Sequence, residues 1–430
     1  MGYRGIAAVT LGDERVFERN INATPQGDDQ PLSSESQVLI GSVVKPITGA
    51  TLSALVAQGR LPATLRVRDV FPDAPPDKAT ITLHQLLTHS AGLPIAVASD
   101  RELVSRAAFL ELAMEAPLGF EPGSAYAYSN TGFSLAVAMA EAHTGKSYLD
   151  LVRQYLFQPA RMTQTGYDER FDRDRMATTA DGRLATDASW GRTSPGWALL
   201  GNGGMVSTLT DLTHLAQFIG HGAAKDVPWA RLMTTPHQDE GGGSAYGYGL
   251  VVEDIPAIGL AYWHNGGNPF FQTDVRYLAE HDLTLVTHAT SSPVSVDTAA
   301  HALMRAAFDL PLRLPPPADT PPLASLPETP EGQLVEAFLT AITSAREADW
   351  RRFITEHLDP QLLAQVSMEE HLAFFAMAHA DLGGMEVLRF ERDDARTVVT
   401  ARRPGQPAVT LIFAIAYDAG QAKFAGLQLE

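Results

Sequence analysis

The 430-residue chain contains no cysteine. That excludes disulfides, thiolate metal sites and a cysteine nucleophile. Lysine is nearly as scarce, at five residues, so arginine carries most of the positive charge. Charged residues make up only 19% of the chain, and the net charge is −18. Such an acidic chain is repelled by nucleic acid and by anionic membranes, and there is no basic stripe or RNA-binding aromatic motif. No apolar run approaches the length of a membrane span. G-x-S-x-G, H-E-x-x-H, a P-loop and a dinucleotide fingerprint are all missing. Neither a cofactor nor a metal is therefore expected. The 13 histidines are scattered, and His84 and His89 read as structural. There is no internal repeat.

What is present is a hydrophobic content of 45%, enough for a large core, in a chain long enough for two or three units. "MGYRGIAAVTLGDERVFERNI" reads as a hairpin almost from the first residue, with no charged-then-apolar leader before it. This start favours a leader already removed, hence a periplasmic or secreted protein, with a cytoplasmic one left open. Helical spacing predicts helices over 43–58, over a short run within 81–94 ended by Gly92 and Pro94, over 130–159 and over 297–308. Another follows the glycine turn at 201, with Thr208 or Ser207 as its cap. Strand-like runs occupy 246–290.

Between 309 and 330, eight of 22 residues are proline, which predicts a semi-rigid linker. The chain thus divides into a domain at 1–310, a linker at 311–330 and a small α+β unit at 331–430. In the last, a helical run spans 331–357, a second helix spans about 368–380, and three strands follow.

Three segments carry chemistry. In "LIGSVVKPITG", Ser42 and Lys45 are three residues apart at the start of an apolar helix, hence on one face. A serine hydroxyl attacks only once a base takes its proton. Lysine is that base when burial or nearby charge lowers its pKa. Taken alone, the same four residues also describe an N-cap serine and a surface lysine. In "AYAYSNTG", Tyr128 supplies a phenol that can relay protons, and Asn130 an amide that can hold the lysine or a substrate carbonyl; the same letters also make a turn. In "YWHNGGNPFF", His264 stands as a cation or hydrogen-bond donor, and Gly266 and Gly267 let a substrate approach the strand. Tyr262, Trp263, Phe270 and Phe271 suit an apolar wall for acyl or aryl groups, or equally a packed core.

Together, in this order, S-x-x-K, Y-x-N and H-x-G resemble the serine β-lactamase and penicillin-binding-protein superfamily. The resemblance is to its branch of class C β-lactamases, D,D-carboxypeptidases, D-aminopeptidases and family VIII carboxylesterases. "LLTHSAGLP", "GGMVST" and "YGYGL" are similar to the same branch, and the resemblance runs over about residues 4–310. It implies an α/β fold with an antiparallel sheet flanked by helices, an all-helical region beside it, and the site between the two. It implies that Ser42 is the nucleophile and that Lys45 and Tyr128 together are its base, with Asn130 and His264 completing the catalytic set. The oxyanion hole would be the backbone N–H groups of Ser42 and Gly267. Substrate contacts fall to Trp263, Asn265, Gly266 and Phe270.

The sequence also departs from the pattern. His264 stands where class C β-lactamases have lysine, Asn265 stands where threonine is usual, and the usual N-terminal helix is missing or cut short. Efficient β-lactamase action is accordingly not expected. The leading expectation is a serine hydrolase of small carboxylic esters working through an acyl-enzyme. The alternative is a D-amino-acid peptidase or amidase, or a D,D-carboxypeptidase-like penicillin-binding enzyme. A non-catalytic binding protein would be marked by a lost Ser, Lys or Tyr, and none is lost. The partner is a small ester or amide, and monomer or homodimer is left open. Residues 331–430 look similar to a nuclear-transport-factor-2-like cone.

Overall fold

Eight strands build one antiparallel sheet, ordered β2-β1-β10-β9-β8-β7-β6-β5, and its central strands β1, β9 and β10 are buried on both faces. Here β1 is Gly5–Leu11, β2 Glu14–Ile21, β5 Gln238–Gly241, β6 Ser244–Tyr246, β7 Val251–Ile255, β8 Gly259–Asn268, β9 Phe271–Leu278 and β10 Leu283–Thr290; a separate two-stranded ribbon pairs β3 (Val38–Leu39) with β4 (Val206–Ser207). The computed structural model describes residues 3–21, 32–191, 195–241, 243–292, 294–310, 312, 316, 319–393, 396–406, 408–418 and 420–429. It divides into two compact units, Gly2–Leu312 and Arg313–Glu430.

In the first unit the strand period of two sorts β9 between two helical layers. Thr273 and Tyr277 face one way: Thr273 Oγ1 donates to Leu39 O, and the Tyr277 ring packs on Gly220 of the helix Leu209–Ala224. Asp274 and Arg276 face the other way, where Arg276 meets Asp297 on the helix Val296–Ala307. The central helix α1 (Val44–Ala57) is buried from Val44 through Leu55, its polar Lys45, Thr48, Thr51 and Ser53 included. Beside it lies the helical region, with α2 (Val67–Val70), α3 (Leu83–Leu87), α4 (Arg106–Glu115), α5 (Asn130–Thr144) and α6 (Tyr148–Val152).

Two predicted helices are shorter than their apolar patterns. The helix after residue 81 stops at Leu87, before Gly92, because His89 turns the backbone to φ +57°. The run from 130 breaks at Gly145, a left-handed C-cap at φ +68°, and resumes as α6. Thr208, not Ser207, caps the helix at 209, accepting the Asp211 N–H.

The second unit lays helices on a four-stranded antiparallel sheet in sequential order (Glu386–Asp393, Arg396–Arg402, Val409–Asp418, Gln421–Leu429). Phe338, Phe353, Phe375, Phe413 and Phe424 are buried there in one core, with Phe338 and Phe424 stacked at 5.2 Å. The predicted helical run at 331–357 is two helices, Pro330–Thr343 and Glu347–His357, parted where Ser344 becomes extended. The helix Pro360–Gln365 and the fourth strand are additions to the sequence reading. Most of residues 311–318 lie outside the described residues, but from 319 onward the proline-rich stretch belongs to this unit. Leu323 N–H donates to Val387 O, and Arg402 donates to Thr320 O, so prolines that cannot join the ladder still lie along the sheet.

Candidate active site

Three backbone segments meet at one end of α1. Pairing between β7 and β8 ends at Trp263, opposite Val251. His264 to Asn268 run on, paired with β9 alone among the described residues. The turn Gly41–Val43, which carries Ser42, sits against that stretch. The approach demands glycine on both sides. A Cβ on Gly266 would lie 2.2 Å from Ser42 N, and one on Gly41, at φ +50°, would lie 2.5 Å from Gly267 N. Ser42 is not an N-cap: it lies inside the turn Gly41–Val43, which Ile40 precedes, and Val43 is the N-cap of α1.

Lys45, the second residue of α1, has no solvent exposure. Its Nζ lies 3.0 Å from Ser42 Oγ, 2.6 Å from Asn130 Oδ1 and 3.3 Å from Asn202 O. Burial holds its pKa well below the usual lysine range, against a smaller opposing pull from Asp100. A neutral amine has two N–H groups and one lone pair. Asn130 Oδ1 and Asn202 O can only accept, so they take the two N–H groups. The lone pair is left for the Ser42 hydroxyl proton.

Each of those acceptors is anchored. Asn202 donates to Ser134 Oγ and Ala198 O, both at 2.7 Å. Asn130 is the first residue of α5, capped by Ser129, and its N–H donates to Ile95 O. Tyr128 precedes that cap. Its phenol neighbours Ser42, and its ring centroid lies 4.6 Å from Lys45 Nζ. Burial raises its pKa, with the nearby Ser42 hydroxyl opposing, so the phenol keeps its proton.

His264 is nearby but is not the cation considered above. Its Nδ1–H donates to Asn265 O, and its Nε2 accepts from the Tyr246 hydroxyl at 3.0 Å. Burial, the largest cause, pushes its pKa down to about 3. It is a neutral ring with both nitrogens in use, 6.2 Å from the Tyr128 ring.

Trp263 does not join the group. Its indole lies over the Arg276 guanidinium at 4.5 Å and donates to Glu253, on the sheet face opposite His264. Asn265 alternates with His264 and is exposed. Phe270 is in the β8–β9 turn, half-buried beside Arg183. Phe271, also offered above as wall, is buried against Leu39 and Met176.

Three contributors escaped the sequence reading: the Asn202 carbonyl, the Tyr246 hydroxyl and His89, which packs on Tyr128. A backbone carbonyl leaves no mark in a sequence. The other two stand in "YGYGL" and "LLTHSAGLP", where their neighbours across the chain cannot be read.

With this geometry in hand, the comparison with known proteins is decisive. The Beta-lactamase family model matches residues 1–308. The chain belongs to the beta-lactamase family. It is thus a serine hydrolase of the β-lactamase and penicillin-binding-protein type. Penicillin-binding protein 4* of Bacillus subtilis (strain 168) is 24% identical over 349 residues, covering 74% of this chain and 75% of that protein. D-alanyl-D-alanine-carboxypeptidase/endopeptidase AmpH of Escherichia coli (strain K12) is 32% identical over 232 residues, which is 50% of this chain and 57% of that one. D-aminopeptidase of Brucella anthropi is 26% identical over 276 residues, 59% of this chain and 49% of its own length. This chain therefore spans only about half of the last two proteins.

Among solved structures, a penicillin binding protein from Bacillus halodurans aligns with TM-score 0.58 at 23% identity, over 71% of this chain and 95% of that one. The octameric penicillin-binding protein homologue from Pyrococcus abyssi aligns with TM-score 0.60 at 18% identity, over 98% of this chain and 91% of its own. These two establish the fold, and the second extends through the C-terminal unit.

Proposed function

We propose that this family member hydrolyses small carboxylic esters through an acyl-enzyme on Ser42. One observation carries the reading: a buried lysine amine whose two other neighbours are acceptors, leaving its lone pair for the serine proton. Lys45 takes that proton as Ser42 attacks the carbonyl carbon. The oxyanion is held by the N–H groups of Ser42 and Gly267, which the glycine contact brings together. The neutral Tyr128 phenol passes a proton to the leaving group and draws its replacement from Lys45. Water then attacks the acyl carbonyl by the same route in reverse and frees the acid. In this reading Asn130 orients Lys45, and His264 holds its strand. Phe270 and Gly266 are left as the substrate-facing part of that hairpin, since Asn265 alternates to the other face of the strand.

Preference for esters rests on His264. Where a lysine would offer a fixed cation to a substrate carboxylate, this strand offers a neutral, doubly bonded ring. A second reading is favoured by the relatives, two of which are named as enzymes acting on D-alanyl or D-amino-acid peptides. Hydrolysis of p-nitrophenyl butyrate and of D-alanine p-nitroanilide, measured side by side with Ser42→Ala as control, separates the two. Serine-dependent turnover of the anilide alone would displace the ester reading. For the C-terminal unit we keep the cone-like reading, supported by helices on one face of a sheet that two bulges bend.

A further inference from the structure

His89 is not one of the groups that the proposed reaction uses, yet it makes contact with Tyr128 and with both of its chain neighbours. Its carbonyl oxygen accepts the Ala127 N–H at 2.9 Å. Its Nδ1 accepts the Ser129 N–H at 3.0 Å. These two bonds bracket Tyr128 along the chain, and the imidazole ring packs on the phenol ring with centroids 4.3 Å apart. The same imidazole lies 4.5 Å from the Tyr246 ring, whose hydroxyl holds His264, and 5.1 Å from Phe133 on α5.

The arrangement is expensive in backbone terms. His89 has φ +57°, a region uncommon outside glycine, which histidine, asparagine and aspartate enter more readily than other side chains. The ring is only 1% exposed. Because Nδ1 accepts, the proton of the neutral ring is on Nε2. The ring is kept neutral chiefly by burial.

We infer that His89 is a positioning residue for Tyr128, holding the phenol against Ser42 and Lys45 by clamping the backbone on both sides of it and packing on its ring. The rest of the "HSAGLPI" segment continues the clamp. Pro94 O accepts the Ser129 hydroxyl, and Ile95 O accepts the Asn130 N–H. One short loop therefore sets both the phenol and the amide that face Lys45. This inference rests on the reading of Ser42 and Tyr128 as reacting partners.

The test is the rate at which a fluorophosphonate probe labels Ser42, followed by intact mass in the parent, His89→Ala, Tyr128→Phe and the double variant. His89→Ala should label about a hundredfold more slowly, the order of loss that a misplaced reacting group produces. His89→Asn keeps an acceptor for Ser129 and tolerates the positive φ, so it should recover part of that rate. In the Tyr128→Phe background, His89→Ala should cost nothing further, because the group it positions is gone. Equal labelling of parent and His89→Ala, or the same fold-loss in both backgrounds, overturns the inference. If His89→Ala does not fold, His89→Asn takes its place in the same cycle. If the parent is not labelled at Ser42, the serine reading fails by itself. His89 is then judged by the ¹⁹F spectrum of 3-fluorotyrosine at position 128, one sharp line in the parent and a broadened or split one in the variant. An unchanged line overturns the role.

Discussion

Lys45 Nζ, on a side chain with no solvent exposure of its own, lies 3.0 Å from the Oγ of the half-buried Ser42. The distance follows from helix geometry, since residues three apart share a face. The chemistry follows from burial, which penalises the charged amine and leaves a base at a pH where lysine is ordinarily an acid.

Removing that base should remove the reaction. Lys45→Met is expected to lower kcat/KM for p-nitrophenyl butyrate by about a thousandfold or more. Lys45→Arg should be as poor, because a guanidinium does not give up its proton. In the parent, the protonated amine at low pH is the inactive form. Activity should therefore rise with pH through a limb set well below the ordinary lysine value. A pH–rate profile with no such limb would point to a different base.

The glycine contact makes a second prediction. Gly266→Ala places a Cβ 2.2 Å from Ser42 N and 2.7 Å from Ile40 O, both backbone atoms that cannot swing away. The turn at Ser42 must then part from β8. Steady-state assay should show a loss of roughly a hundredfold or more, larger than any accompanying fall in thermal midpoint accounts for.

Much of this site was legible in the sequence for a simple reason: Ser42–Lys45, Tyr128–Asn130 and His264–Gly266 are each local, and spacing within a turn or strand survives in one dimension. Who faces whom across the chain does not. Trp263 and Phe271 are apolar residues beside the third motif, and only the sheet register shows that Trp263 belongs to Arg276 and Phe271 to the core. The charge state of His264 was equally hidden, because it depends on burial by segments distant in the chain, Tyr246 among its neighbours. In the fold, the helix at 331–357 was overextended because its apolar spacing continues across the break at Ser344. The last strand was passed over because its alternation is weak, with Gly426 in the middle.

Acid should destabilise the protein through its buried histidines. His264 and His288 are both pushed down to about 3 by burial, and His89 is lowered as well. A histidine that is neutral when folded binds a proton more readily when unfolded. Stability is therefore full above the unfolded value near 6.5 and falls as pH drops below it. Each such group should cost about 2 kcal/mol between pH 6.5 and pH 5. Urea unfolding at a series of pH values measures the slope. His288→Asn, which removes one of these rings, should flatten it, and an unchanged slope would exclude His288 as a contributor.

Benzylpenicillin offers a test of the third motif. With a neutral His264 where a cation is usual, the esterase reading expects little long-lived penicilloyl adduct on Ser42 by intact mass. A stoichiometric adduct that persists for hours would move the assignment to the peptidase reading.

The central claim is that Ser42, activated by Lys45, carries the acyl group. The most direct measurement is rapid-quench mass spectrometry of the parent and Ser42→Ala during turnover of p-nitrophenyl butyrate. The account predicts a butyryl adduct on the peptide containing Ser42, formed within one turnover and absent from the alanine variant, whose kcat falls by about a thousandfold or more. Equal turnover by the two proteins, or an adduct on a different residue, would contradict it.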